Sequence, residues 1–184
     1  ASSWGHRDMC WNGDYMFGSY SNMVDGFSDP ATFAGFFIGP ISPNRALAYD
    51  GAAFYTSGFG EYLWKLTWDG NFGTVAATEN LGGPWDGAYG LAYDCSNGVL
   101  YMTTADYTGN IHELAMDGFL LNTYTTLPEY DIQGGCTMAD CQYGYILAVI
   151  QQFSPDMLTF YDIGAGGPSP VEDASWGEIK SLFQ

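Results

Sequence analysis

GLAYDCSNGVLY, residues 90–101, decides the fold, because the chain carries an earlier version of it: ALAYDGAAFY at 46–55. In both, a short apolar run ends in Tyr-Asp, a few small or polar residues follow, and a second apolar run begins. The echo extends outward. Aligned on the residue after the aromatic, DMCWNGDYMFGSY, ALAYDGAAFYTSG, GLAYDCSNGVLYMTT and CTMADCQYGYILAVI place Asn12, Asp50, Asp94 and Asp140 at intervals of 38, 44 and 46 residues. Each segment reads as strand, polar turn, strand.

The similarity continues downstream. LWKLTWDGNFGTV at 63–75 parallels IHELAMDGFLLNTY at 111–124, with Asp69-Gly70 matching Asp117-Gly118. Asp-Gly between alternating runs marks a hairpin, because Gly accepts the positive φ that such turns demand. DMLTFYDIG at 156–164 and NMVDGFSDPATFAGFF at 22–37 offer the corresponding strands of the fourth and first units. Four strands in roughly 40–45 residues is the length of a propeller blade. The expected fold is all-β and β-propeller-like, with about four blades of four antiparallel strands at 7–44, 45–86, 87–131 and 132–170. The first strand of each unit would lie innermost. There Cys10, Ala48 and Ala92 are suitably small, and Met138 departs from the rule. A set of unrelated hairpins in a β-sandwich is the competing arrangement.

The last part, 171–184, reads as a separate docking segment. Ser175 and Glu178 have capping-box spacing, and Trp176, Ile179, Leu182 and Phe183 form an apolar set on a short C-terminal helix suited to assembly.

Composition narrows the functional classes. The 184 residues are 47% hydrophobic and 17% aromatic, enough for a folded core. Four Lys and Arg against 21 Asp and Glu give a formal net charge of −17. Such a field repels phosphate backbones and anionic membrane surfaces, so nucleic acid is not an expected partner. No apolar run reaches 18 residues, so no membrane span is expected. No C-x-x-C occurs, so zinc is not expected, and in a secreted chain the four cysteines (Cys10, Cys95, Cys136, Cys141) read as disulfides. Four cysteines allow three complete pairings.

At RALAYDG, YGLAYDCSNGVLY and the WDG hairpin, the chain resembles secreted bacterial β-propeller repeat proteins of the NHL or SMP-30-like sort, of the kind found in extracellular proteins with sorting or anchoring domains. The resemblance implies fold and secretion, not a reaction. Four blades is the propeller minimum, and IGAGGPSPV at 163–171 is Gly- and Pro-rich for an outer strand. Residues 1–7 are one candidate to supply that strand, with a disulfide from Cys10 to Cys136 or Cys141 fastening first blade to last. The alternative is a ring completed by other copies.

Chemistry is scarce. His6 and His112 stand apart, and no G-x-S-x-G, P-loop or dinucleotide fingerprint occurs. Asp50, Asp94 and Asp140 read first as turn-forming residues. A ring of them binding calcium is the functional alternative, without an EF-hand loop to support it. SMP-30-like enzymes hold a metal in the channel, but this sequence offers no matching ligand set, so no catalytic or metal residue is assigned. Trp11, Tyr49 and Tyr93 share one repeat position and are the candidate binding aromatics, for carbohydrate or protein. The leading expectation is a non-catalytic, self-assembling extracellular structural protein, forming a homo-oligomer, surface fibre or layer without a cofactor. A ligand-binding propeller module is second, and a metal-dependent SMP-30-like hydrolase third.

Overall fold

A computed structural model describes residues 5–29, 32–125, 133–138, 146–152 and 156–163, and the strand backbone of 169–175. Among the described residues, sixteen strands form four four-stranded antiparallel sheets. Blade 1 holds β1 (Met9–Trp11), β2 (Met16–Tyr20), β3 (Met23–Asp29) and β4 (Thr32–Ile38). Blade 2 holds β5 (Ala46–Tyr49), β6 (Phe54–Ser57), β7 (Glu61–Thr67) and β8 (Ala77–Trp85). In blade 3, β9 (Ala88–Asp94), β10 (Val99–Thr104), β11 (Asn110–Ala115) and β12 (Leu120–Thr125) follow the same order. Blade 4 holds β13 (Gln133–Met138), β14 (Ile146–Gln151), β15 (Met157–Asp162) and β16 (Ser169–Ser175). Each sheet is a meander in chain order, the pattern of a propeller blade.

The turns form as their side chains dictate. Asn12 Oδ1 accepts the amides of Asp14 and Tyr15, Asp50 Oδ1 those of Ala52 and Ala53, and Asp94 Oδ1 those of Ser96 and Asn97. These are Asx turns, the local role expected of Asp50 and Asp94. Asp140 lies outside the described residues. Gly70 and Gly118 adopt φ of +89° and +87°. In blade 3 the hairpin is tight. In blade 2 it lengthens to 68–76, and Phe72 crosses to blade 1. A Cβ on Gly26 or Gly35 would come within 2.6 or 2.4 Å of the Phe72 ring. Side-chain-free backbone there is what lets the ring lie flat on blade 1.

Register fixes which residues are equivalent. Phe54 and Leu66 stand across from one another in blade 2, as do Leu100 and Leu114 in blade 3 and Leu147 and Tyr161 in blade 4, and Leu47, Leu91 and Cys136 each lie one diagonal step away on the same face. These face the preceding blade. Three buried clusters result, joining blade 1 to 2 around Phe17, Phe37 and Phe54, blade 2 to 3 around Tyr55, Leu63 and Leu91, and blade 3 to 4 around Tyr101, Ile111 and Leu147. Among the described residues no such cluster joins blade 4 to blade 1.

Two expectations change. Alignment on Asp140 set blade 4 one residue out of step. Cys136 packs against blade 3 as Leu91 packs against blade 2, so Thr137, not Met138, is the counterpart of Ala92. Met138 takes the position of Tyr93, and the small-residue rule holds in all four blades. The outer strand of blade 4 is β16, built from 169–175 despite its Pro-rich start, so residues 1–7 do not supply it. β16 is an edge strand, where Pro170 is tolerated. Ser175 therefore ends a strand. The helix expected beyond it, with Trp176, Ile179, Leu182 and Phe183, lies outside the described residues.

Candidate functional site

Inner strands β1, β5, β9 and β13 gather round one side chain that sequence reasoning missed. Asp8, the residue before β1, is buried. Its Oδ2 accepts the Leu47 amide at 2.8 Å and the Leu91 amide at 2.7 Å, and the amides of Met9 and Cys136 lie close enough to favour its charged form. Met9, Leu47, Leu91 and Cys136 occupy one repeat position, so each blade contributes the same backbone N–H. Asp8 itself shares a position with Ala46, Gly90 and Gly135. The neighbours leave room for one long side chain only: a Cβ on Gly135 would sit 2.9 Å from Asp8 Oδ1, and one on Gly90 2.7 Å from the Cys136 nitrogen. Burial pushes the Asp8 pKa well above the usual carboxylate range, and the four surrounding backbone amides oppose that shift. The only available signal was an Asp where sister copies have Ala or Gly.

Above Asp8 the axis opens into a cavity of about 240 Å³ lined by residues from all four inner strands. Trp11, Tyr49, Tyr93 and Met138 ring this mouth, with Cys10 and Ala92 deeper. The structure thus brings the three candidate aromatics together. Tyr49 packs on Phe54 at 4.7 Å between ring centroids, whereas Trp11 is exposed.

The cysteines divide. Cys10 and Cys136 are free thiols, so the fastening of blade 1 to blade 4 through Cys10 is not made. Burial raises both thiol pKa values, and the Asp8 charge adds to the effect. Cys95, on the exposed turn after Asp94, is disulfide-bonded. Cys141 lies outside the described residues.

Both histidines are engaged in packing. His6 Nε2 lies 3.0 Å from Asp25 Oδ2, its ring edge-on to Tyr20 and Phe27. His112 Nδ1 lies 3.0 Å from Thr123 Oγ1, beside the Trp85 ring, and burial lowers its pKa against a smaller opposing effect of Asp106. Among the described residues, His, Cys, Asp and Glu form no group of three placed to hold a metal ion, and no helix is long and apolar enough to cross a membrane.

Blade 1 carries a second concavity of about 660 Å³, lined by His6, Met9, Met23, Phe27, Phe33 and Phe36 among others. Met9, Met16 and Phe27 are the counterparts of Leu47, Phe54 and Leu66. Yet Met9 is 42% exposed where Leu47 is 0%, and Phe33 on the same blade is 55% exposed.

Known structures repeat this architecture. The chain resembles a chain of the nidogen/laminin complex (TM-score 0.66, 12% identity, covering 88% of this chain and 62% of that one). It is also similar to glutaminyl cyclase of Myxococcus xanthus (0.67, 17%, 88% and 67%) and to a protein of unknown function from Bacteroides caccae (0.62, 11%, 96% and 63%). The chain is a β-propeller. At these identities the likeness shows fold and nothing of activity. The chain spans less than two thirds of the nidogen/laminin chain. No protein-family model matches the sequence, and no curated protein sequence matches it.

Proposed function

We propose that this propeller is a non-catalytic, extracellular structural protein that self-assembles, the open face of blade 1 receiving the outward face of blade 4 from a second copy. One observation carries the reading: the repeat position buried in blades 2 and 3 is exposed in blade 1. The face of Leu47, Phe54 and Leu66 meets the preceding blade, and its counterpart in blade 1 meets no cluster among the described residues. Blade 4 offers the matching surface, where Ile146, Ile150, Leu158 and Phe160 are half-buried. Open blade faces need a partner, and a head-to-tail contact of this kind generates a ring or an open filament.

Cysteine usage supports the compartment. With Cys10 and Cys136 free, Cys141 is the remaining partner in the sequence for Cys95, and a stable disulfide belongs to an oxidising environment. Peptide mass spectrometry without reduction should recover the peptides of Cys95 and Cys141 linked.

Light scattering during size-exclusion chromatography tests the assembly. Association should rise with concentration, and Phe33→Asp with Phe36→Asp should abolish it while leaving the circular dichroism of the fold unchanged. A monomer at every concentration, without fibres by electron microscopy, overturns the reading. A second reading, a carbohydrate- or protein-binding module, draws on the axial mouth with its exposed Trp11. Trp11→Ala would then remove binding on a glycan array without altering association.

A further inference from the structure

At the lower end of the axis, where the inner strands begin, the repeat position next to Asp8 holds Arg7 in blade 1, Arg45 in blade 2 and Tyr89 in blade 3. Two of the four Lys and Arg of a chain with net charge −17 therefore meet at one place. Their planes are set by aromatic faces. The Arg45 guanidinium lies 4.2 Å from the Phe59 ring centroid and 5.6 Å from that of Tyr89. Arg7 Nη1 donates to the Tyr89 hydroxyl at 2.8 Å. Ring contacts hold the Arg45 cation by the ring quadrupole without neutralising it.

The backbone beneath is equally fixed. Ser19, buried, donates its hydroxyl to the Arg45 carbonyl at 2.6 Å, and its own carbonyl accepts the Arg7 amide at 3.2 Å. Arg45 forms no ion pair with the described residues, and its Nε is buried without a hydrogen-bond partner. Beside the two guanidiniums opens a cleft of about 460 Å³ lined also by Tyr20, Ser21, Pro43 and Asn44, with no carboxylate among the described residues of its lining.

We infer that this cleft binds a small molecule bearing a single carboxylate, the guanidinium of Arg45 receiving the carboxylate and the walls of Tyr20 and Pro43 receiving an apolar or ring-shaped body. The planar guanidinium fork matches a carboxylate with two parallel N–H···O bonds. Size and charge select against other anions. A polyanion is repelled by the field of the whole molecule, whereas a monoanion meets that repulsion once and gains the local pair in full. A phosphate dianion pays more repulsion and gains nothing from the apolar walls.

The test titrates benzoate, benzamide and inorganic phosphate into the full chain at about 150 mM salt, where long-range fields are screened within about 8 Å, following the amide resonances of Asn44 and Arg45. Benzoate should saturate the site, with benzamide and phosphate at least about tenfold weaker. Arg45→Gln should weaken benzoate by about 10- to 100-fold, the loss of one charge-assisted bond pair, and Arg45→Lys by less. Equal binding of benzamide, tighter binding of phosphate, no saturation by benzoate, or an Arg45→Gln chain that binds as before overturns the assignment. Should Arg45→Gln fail to fold by near-ultraviolet circular dichroism, the benzoate-to-benzamide ratio on the unaltered chain decides alone.

Discussion

Asp8 ties four blades together with one carboxylate, and its removal should be costly in proportion. Asp8→Ala leaves the amides of Leu47 and Leu91 buried without an acceptor. A loss of about 2–6 kcal/mol is expected from urea unfolding, since each of the two orphaned buried donors costs about 1–3 kcal/mol. The pH dependence follows from the raised pKa. A native carboxyl that holds its proton more tightly than the unfolded chain contributes stability that is complete below the unfolded value, about 3.9. That contribution is lost as pH rises through the native value. The difference in melting temperature between the natural chain and Asp8→Asn should therefore shrink as pH rises from 4, and a difference that grows would contradict it. Cys136 gives a companion measurement. A buried thiol with a raised pKa should resist a disulfide reagent at pH 8 in the native chain and react in urea. Nothing in DMCW marks Asp8 as axial, because its role exists only once three other strands surround it.

Among the elements, the long loop at 68–76 acts across a blade boundary. Phe72 lies on Gly26 and Gly35 and 5.2 Å from the Trp68 ring. Phe72→Ala should cost about 3 kcal/mol, the usual penalty for deleting a packed aromatic ring, read from thermal unfolding. A change below about 0.5 kcal/mol would mean that the loop rests on blade 1 without securing it. What was legible at this scale was local chemistry. Asn12, Asp50 and Asp94 announce their turns because each side chain bonds amides two or three residues away. The register of blade 4 was not legible, because Asp140-Cys141 mimics Asp94-Cys95 while strand β13 sits one residue out of step. Strand β16 was hidden for a related reason: Pro170 speaks against a central strand but not against an edge.

For the molecule as a whole, three blade junctions have cores and the described part of the fourth does not. That asymmetry predicts the concentration-dependent association proposed above, and it could be seen in the sequence only as an unease about a fourth blade. The pairing of Arg7 with Arg45 was invisible at that stage, since 38 residues separate two ordinary arginines until the repeat is closed in space. The axis itself sets a rule for anyone who would rebuild this chain from its own parts. A tandem array of four copies of blade 1 would bring four carboxylates to a point with space for one, whereas four copies of blade 3 would bring four glycines and leave the centre hollow. Blades here are not interchangeable modules: one donor of a carboxylate and three donors of a methyl group or a bare glycine make a set, and shuffling them by duplication breaks it.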